Sequence, residues 1–375
     1  MNAPGLTLVL AGGGHSHALV LRRWALQHQQ AQRRSQPGRR RSAGSPAPRI
    51  TLVSRSPLLL YSGLVPALLA GRVRRRDCSI NLEALCRQAG VRFVQAEISG
   101  LDPQRRLLML EGRPPLAWDL LSLDVGAVTA EAAGALGIKP LEPLLTWLSA
   151  EQDNTDQPLT IRGGGAAALE VALALRGRGR PVALQLRGRQ LRLGNERANR
   201  HGERLLQAAG VTVRRQVAAD AAATLACSGS RGPAWLAASG LPVQAQGRVL
   251  CEPTLQVQGW PAILASGDCG VVSATARPPA GVWAVAQAPT LAANLERLLQ
   301  AATGGAGDPP AAGAPNLQRW RPRRQALQLL ADCSTPAQPR ALAVWGPLCL
   351  GPGRWLWRCK RWIDQRFVRS FPAGS

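Results

Sequence analysis

Apolar residues in this chain come in short blocks that run into glycine and then into helical periodicity, and this succession occurs twice. Residues 6–10 (LTLVL) form a continuous apolar run of strand length. Ala11-Gly12-Gly13-Gly14-His15-Ser16-His17 follows at once, and then a helical stretch over 18–32. The second copy starts at 159–161, continues through Gly163-Gly164-Gly165-Ala166-Ala167-Ala168-Leu169-Glu170 and enters an apolar helical run at 171–175. Each copy is followed by one more apolar strand, 49–53 (RITLV) after the first and 181–186 (PVALQL) after the second. Between the first helix and its next strand, residues 33–48 are rich in Arg, Ser, Gly and Pro and read as a surface loop.

A strand, a glycine turn and a helix in this order make a dinucleotide cradle. Gly12 permits the tight turn, Gly14 lets the backbone approach a pyrophosphate, and the following helix offers unpaired N–H groups and a positive dipole end to the anion. Gly13, His15 and Ser16 complete the first cradle. His17 takes the place of the usual third glycine, and Ser54, next to Arg55, stands where an acid normally binds a ribose. In the second copy Gly163 and Gly165 take the glycine positions and Ala168 the third. Its following strand ends on Leu186 and Arg187 rather than on an acid, and Arg187, Arg189 and Arg192 suit a 2′-phosphate, which favours NADPH over NADH. Two such units imply two nucleotides, and hence electron transfer between them.

Composition narrows the class. The 375 residues suit two or three domains, and 46% apolar content is enough for real cores. Lys139 and Lys360 are the only lysines among 46 basic residues, and the net charge is +24, a field that attracts anions; a biased coding composition explains the arginines equally well. The eight cysteines include no CxxC pair, no zinc spacing and no short CxxxxC pair of the kind a flavin disulfide reductase uses. They read as reduced thiols of a cytoplasmic protein. His15 and His17 have no third ligand nearby, so no metal is expected. No signal peptide and no membrane-spanning run are expected.

Further segments make the reading specific. Tyr61-Ser62-Gly63-Leu64-Val65-Pro66, Asp124-Val125-Gly126-Ala127, Gly137-Ile138-Lys139-Pro140, Ser266-Gly267-Asp268-Cys269, the stretch 281–289 (GVWAVAQAP) and the tail 355–364 (WLWRCKRWID) occur in that order with the two glycine loops. Together they resemble the pyridine nucleotide-disulfide oxidoreductase superfamily, in its type II NADH dehydrogenase-like branch. The sequence is most similar there to the group also found fused ahead of selenide, water dikinase.

The resemblance implies an α/β fold with two Rossmann-like domains, for FAD and for NAD(P), the second inserted in the first, and a C-terminal cap. The FAD domain is expected at 1–130 and 254–310, the NAD(P) domain at 156–253 and the cap at 316–375. A polar hinge is expected at 152–158 and a linker at 301–315. The resemblance further implies that Asp268, after Gly267, accepts hydrogen bonds from the flavin ribityl chain. It makes Ala286 and Gln287 the start of a helix whose N-terminus faces the flavin, with Gln287 bordering a quinone pocket. It brings Ser62 and Gly63 close to the isoalloxazine ring, makes Gly126, and Ser228-Gly229 in the second domain, close the cradles, and places Glu170 near the nicotinamide–flavin contact. Glu170 and Gln287 are thus the expected catalytic residues.

Five of the 11 tryptophans lie in the cap. From Arg354 onward an amphipathic helix gathers Trp355, Cys359, Trp362, Ile363 and Phe367 on one side, with Arg354, Arg358, Arg361 and Arg369 on the other; Arg366 and Trp357 break the stripe. Such a helix, over 354–371, suits peripheral contact with the cytoplasmic face of a membrane or packing on the chain itself. The expected activity is transfer of hydride from NAD(P)H to FAD and of electrons to a quinone-like small-molecule acceptor. The alternatives are a flavin reductase acting on a selenium or sulfur compound, and a non-enzymatic protein that binds flavin or nucleic acid. Signatures of nucleic-acid binding are absent from the sequence, which disfavours that partner.

Overall fold

The computed structural model describes residues 5–34, 47–130, 134–150, 157–218, 221–303 and 316–372. The expected loop at 33–48, hinge at 152–158 and linker at 301–315 lie largely outside them. Two sheets organise the chain. The larger has eight strands in the order Gly270–Val272, Val249–Cys251, Gln256–Val257, Trp260–Ala265, Leu120–Leu123, Thr7–Ala11, Arg49–Ser54, Arg92–Gln95. Its five-strand run from Trp260–Ala265 to Arg92–Gln95 is parallel, with Leu8 registered against Ile50 on one side and Leu120 on the other. Leu8, Val9 and Leu10 are fully buried, as a parallel strand covered on both faces requires. Helix His15–Arg34 packs there against Leu82–Ala89 and Gly281–Thr303, and Ile98, Leu101 and Leu108 of a three-stranded antiparallel sheet join the same core.

The second sheet is wholly parallel, in the order Leu136–Gly137, Leu225–Ala226, Leu159–Arg162, Val182–Gln185, Thr212–Arg214. The helix after its glycine loop, Ala166–Gly177, buries Ala168, Leu169 and the run from Val171 to Leu175. Both sheets are therefore Rossmann-like, and the chain leaves the first to build the second before returning. The return comes earlier than the expected position 254. Strand Val249–Cys251 already pairs in the larger sheet, and Leu236 and Leu241 sit in its core.

Both cores meet the final segment. Three antiparallel strands, Gln328–Asp332, Arg340–Trp345 and Leu348–Gly353, lead into helix Arg354–Arg369. Leu330, Leu342, Val344 and Cys349 of these strands join the core of the second sheet, while Trp320 just before them joins the core of the first. The cap helix settles on Ser62–Leu64. No helix among the described residues is long and apolar enough to cross a membrane.

The cap depends on close approach at Gly177, where an added Cβ would collide with the Cys333 carbonyl. Backbone cannot yield as a flexible side chain does, so Gly177→Ala is expected to lower unfolding free energy by about 2 kcal/mol. Urea denaturation followed by tryptophan fluorescence checks this; an unchanged midpoint refutes the docking role.

Candidate functional site

A cavity of about 700 Å³ opens at the carboxyl ends of the larger sheet's strands. Gly12, Gly13, Gly14 and His15 line it, with Ser54, Arg55, Ser62, Gly126 and Asp268 around them and Ala226 and Arg231 from the far side. The first cradle is thus assembled as the sequence implies, but its details differ. Asp124, 3% exposed, lies against the N-terminus of helix His15–Arg34. Its Oδ2 accepts hydrogen bonds from the Ser16 N–H (2.9 Å), the His17 N–H (3.3 Å) and the Ser16 hydroxyl. Ser16 Oγ in turn shares a hydrogen bond with Ser266 Oγ at 2.8 Å. A Cβ on Gly14 would collide with this carboxylate, so the glycine there makes room for an acid as well as for backbone approach.

His17, the replacement for the third glycine, is fully buried. Its Nδ1 lies 2.6 Å from the Gly12 carbonyl and its Nε2 2.7 Å from Ser122 Oγ, so the ring braces the glycine turn against the neighbouring strand. His15 differs. Its ring touches Tyr61 and Phe367, and its buried Nε2 has no hydrogen-bond partner among the described residues. Burial pushes both imidazoles below their usual value, against the pull of Asp124.

Asp268 is held from two sides. Lys139 Nζ lies 2.6 Å from its carboxylate, and the buried Arg248 guanidinium donates to the carbonyls of Asp268 (2.9 Å), Gly270 (2.6 Å) and Arg277 (2.9 Å). Ser54 points its hydroxyl to the Ser56 carbonyl at 2.9 Å, and Arg55 pairs with Glu97 at 3.2 Å.

The expected start of a helix at Ala286–Gln287 is corrected. That helix begins at Gly281, following Pro278-Pro279, so Gly281 and Ala284 reach the cavity while Ala286 is exposed. Gln287, 3% exposed, accepts the Gly267 N–H at 2.8 Å and so fixes the turn that carries Asp268. Glu170 is likewise displaced from its expected place: it does not line the cavity, and its Oε1 accepts the Ala331 N–H of the cap at 2.7 Å. Burial raises its carboxyl, while Lys360 and the Ala331 N–H oppose this.

Gly63 is in a close junction. Lys360 Nζ donates to its carbonyl at 2.8 Å and to Asp364 Oδ2 at 3.0 Å, and Tyr61 hydrogen-bonds Asp364. Burial, followed by the Asp364 charge, raises the Tyr61 hydroxyl. This pair sets the facing of the cap helix, which the sequence left open. Leu356, Trp357, Lys360 and Asp364 are buried, while Trp355 (59%) and Trp362 (62%) are exposed beside Ile363 and Cys359.

At the second loop Gly163 has φ +149, and a Cβ there would stand 2.8 Å from the Cys227 carbonyl. Gly165 precedes the helix with open space around it. Ser228 and Gly229 follow strand Leu225–Ala226 beside this loop. Arg192 N–H donates to the Gly164 carbonyl at 2.7 Å, which folds the exposed Arg187, Arg189 and Arg192 around the end of the sheet.

Asp124, Lys139, Arg248, Lys360 and Asp364 were not singled out from sequence as site residues. All but Arg248 stand in segments that carry the family resemblance, which was the available signal.

No protein-family model matches the sequence, and no curated protein matches it. Solved structures do. Sulfide:quinone oxidoreductase of Aquifex aeolicus superposes with a TM-score of 0.71 at 17% identity, over 99% of this chain and 93% of that one. NDH2 of Plasmodium falciparum, in complex with NADH, gives 0.71 at 12% identity over 98% of both chains. The water-forming NADH oxidase of Lactobacillus brevis, bound to NADH, gives 0.65 at 16% identity over 91% and 75%. The fold is the one these oxidoreductases share.

His17→Ala removes partners from Gly12 and Ser122 and is expected to cost about 2 kcal/mol of stability. Because both buried imidazoles stay neutral in the fold and titrate at their ordinary value when unfolded, stability is present above that value and falls as pH drops below it. Denaturation midpoints lower at pH 5 than at pH 7, with a smaller difference in His17→Ala, check both statements.

Proposed function

We propose that the chain is an FAD-dependent NAD(P)H oxidoreductase of the type II NADH dehydrogenase-like kind, close to the group found fused to selenide, water dikinase, with a quinone-like acceptor. One observation carries this reading. One cavity extends from the first glycine loop to Ala226, at the end of an interior strand of the second sheet, and to Arg231, on the ribbon that pairs with Val128–Thr129, so a dinucleotide in each cradle would extend toward the same space. The neighbours, which include NADH-bound oxidoreductases and a sulfide:quinone oxidoreductase, support it. The residues present fit both groups. The buried, unpartnered Nε2 of His15 lies in the first cradle, and open space surrounds Gly165 in the second.

Once bound, the two nucleotides supply hydride transfer from nicotinamide to flavin, and the chain aligns them and excludes water. Asp268, on a turn held by Lys139, Arg248 and Gln287, would accept hydrogen bonds from the polyol of FAD. Ser62 and Gly126 line the cleft and would bring backbone close to the ligand, whereas Gly63 sits behind them against Lys360 and Asp364, and the N-terminus of Gly281–Thr303 presents its positive dipole end to the cleft. Glu170 couples the second helix to the cap and to Lys360, a positioning role. Arg187, Arg189 and Arg192, with no acid at the strand end, favour NADPH as donor. All eight cysteines are free, and burial pushes the Cys227 and Cys333 thiols up to about 12, which leaves both protonated and unreactive at neutral pH. Neither thiol would serve as a redox relay, so a bound flavin would have to pass its electrons on without them. Exposed Trp355, Trp362 and Ile363 beside Arg354, Arg358 and Arg361 support docking at an anionic membrane, where a quinone is found.

Asp124 favours a second reading, in which its carboxylate has displaced the pyrophosphate and the first cradle no longer binds FAD. The visible spectrum of the purified protein separates the two. The first reading expects a yellow protein bleached anaerobically by NADPH and reoxidised by a soluble quinone; a colourless protein that takes up no FAD supports the second. With the first reading, Arg187→Ala combined with Arg189→Ala raises the KM for NADPH by about tenfold and leaves that for NADH within about twofold. Separately, Trp355→Ala with Trp362→Ala is expected to abolish most co-sedimentation with phosphatidylglycerol vesicles while sparing FAD content; undiminished sedimentation would refute the docking role.

A further inference from the structure

The first cradle is short of positive charge. A helix N-terminus ordinarily offers its N–H groups to a diphosphate, but here the N–H groups of Ser16 and His17 already serve Asp124. Asp124 and Asp268 both line the cavity and both are acidic. Lys139, the cation next to them, is committed to Asp268 at 2.6 Å; Arg55 pairs with Glu97 at 3.2 Å, and Arg231 stands on the far wall of the cavity. On the remaining sides stand Tyr61 and Phe367, whose rings contact His15; beyond Tyr61, Lys360 and Asp364 satisfy each other at 3.0 Å. A dinucleotide diphosphate entering this space brings about two further negative charges.

At the glycine loop itself, one group can answer them. His15 occupies the first helical position, lines the cavity, and holds a buried ring nitrogen with no partner among the described residues. Resting on the FAD reading above, we propose that His15 is the proton-linked ligand of the diphosphate: FAD binds together with one proton, which the imidazole takes from solvent, so that the cradle holds FAD more tightly as pH falls. Imidazolium supplies a charge-assisted donor from Nε2 and offsets both the diphosphate and Asp124. Before FAD arrives, burial keeps the ring neutral and outweighs Asp124 and Asp268, which favour the charged form. The linkage sign follows. A ligand that prefers protonated His15 binds more strongly as pH drops through the window between the bound and free titrations, by about tenfold per pH unit.

The experiment titrates the deflavinated full-length chain with FAD by flavin fluorescence between about pH 5.5 and 8.5, and counts protons by calorimetry in buffers of different ionisation enthalpy. The wild-type chain is expected to show the pH slope and uptake of about one proton. His15→Gln, with His15→Ser as the alternative if it does not fold, should match the wild-type affinity at high pH and lose both slope and uptake. A pH-independent wild-type affinity overturns the inference and leaves FAD binding standing. A slope that survives in the His15 variants but vanishes in Asp124→Asn assigns the proton to Asp124 and also overturns it. Absence of FAD binding at every pH defeats the FAD reading itself, and the inference with it.

Discussion

The carboxylate of Asp124 on the N-terminus of helix His15–Arg34 is the contact on which the rest of the cleft depends. It occupies part of the helix's positive end, forces glycine at position 14 by its bulk, and reaches Ser266, through Ser16, at the end of a strand that is far away in sequence but adjacent in the sheet. The turn carrying Gly267 and Asp268 follows directly, held in place by Gln287 and Arg248. Acid, hydroxyls and histidines thus form one buried polar network, in which each member limits what its neighbours can bind. Networks of this kind stabilise only when fully satisfied, and the open nitrogen of His15 is the exception at the cavity wall.

The two cradles consequently differ in kind. Around Gly165 there is free space, and the first turn of helix Ala166–Gly177 carries no acid. Around Gly14 the chain has supplied its own anion. A ligand at the second loop meets an unmodified helix end, whereas one at the first must share it. This asymmetry fits a tightly held group at one end and an exchangeable one at the other only if the first site recovers charge from elsewhere.

Much of this was legible in the sequence, and what was not has physical causes. The strand–glycine–helix units were readable because apolar blocks of strand length, positive-φ glycines and helical periodicity are local signals, and Gly12 at φ +97 behaves as that reading requires. The role of Asp124 escaped notice because its partners Ser16 and His17 are more than a hundred residues away along the chain. The cap helix was foreseen, but not its facing. Periodicity separates an apolar stripe from the arginines but does not say which side packs; Lys360 and Asp364 neutralise each other and Gly63 and Tyr61 supply further hydrogen bonds, so these two turn inward and Trp355 and Trp362 outward. Helix Gly281–Thr303 starts a turn before its expected position because the Pro278-Pro279 pair, rather than the later Ala286, marks its entry.

Arginine stands in place of lysine nearly everywhere in this chain, and the two exceptions, Lys139 at the cleft and Lys360 where the cap helix meets Gly63, are each ion-paired with an aspartate. Guanidinium groups do not react as amines do. Acylating reagents, reductive methylation and enzymatic acetylation consequently find only two side-chain amines in the chain, each held by a carboxylate. Covalent amine labelling, which usually maps an outer surface, would here report on the cleft through Lys139 and on the seat of the cap helix through Lys360.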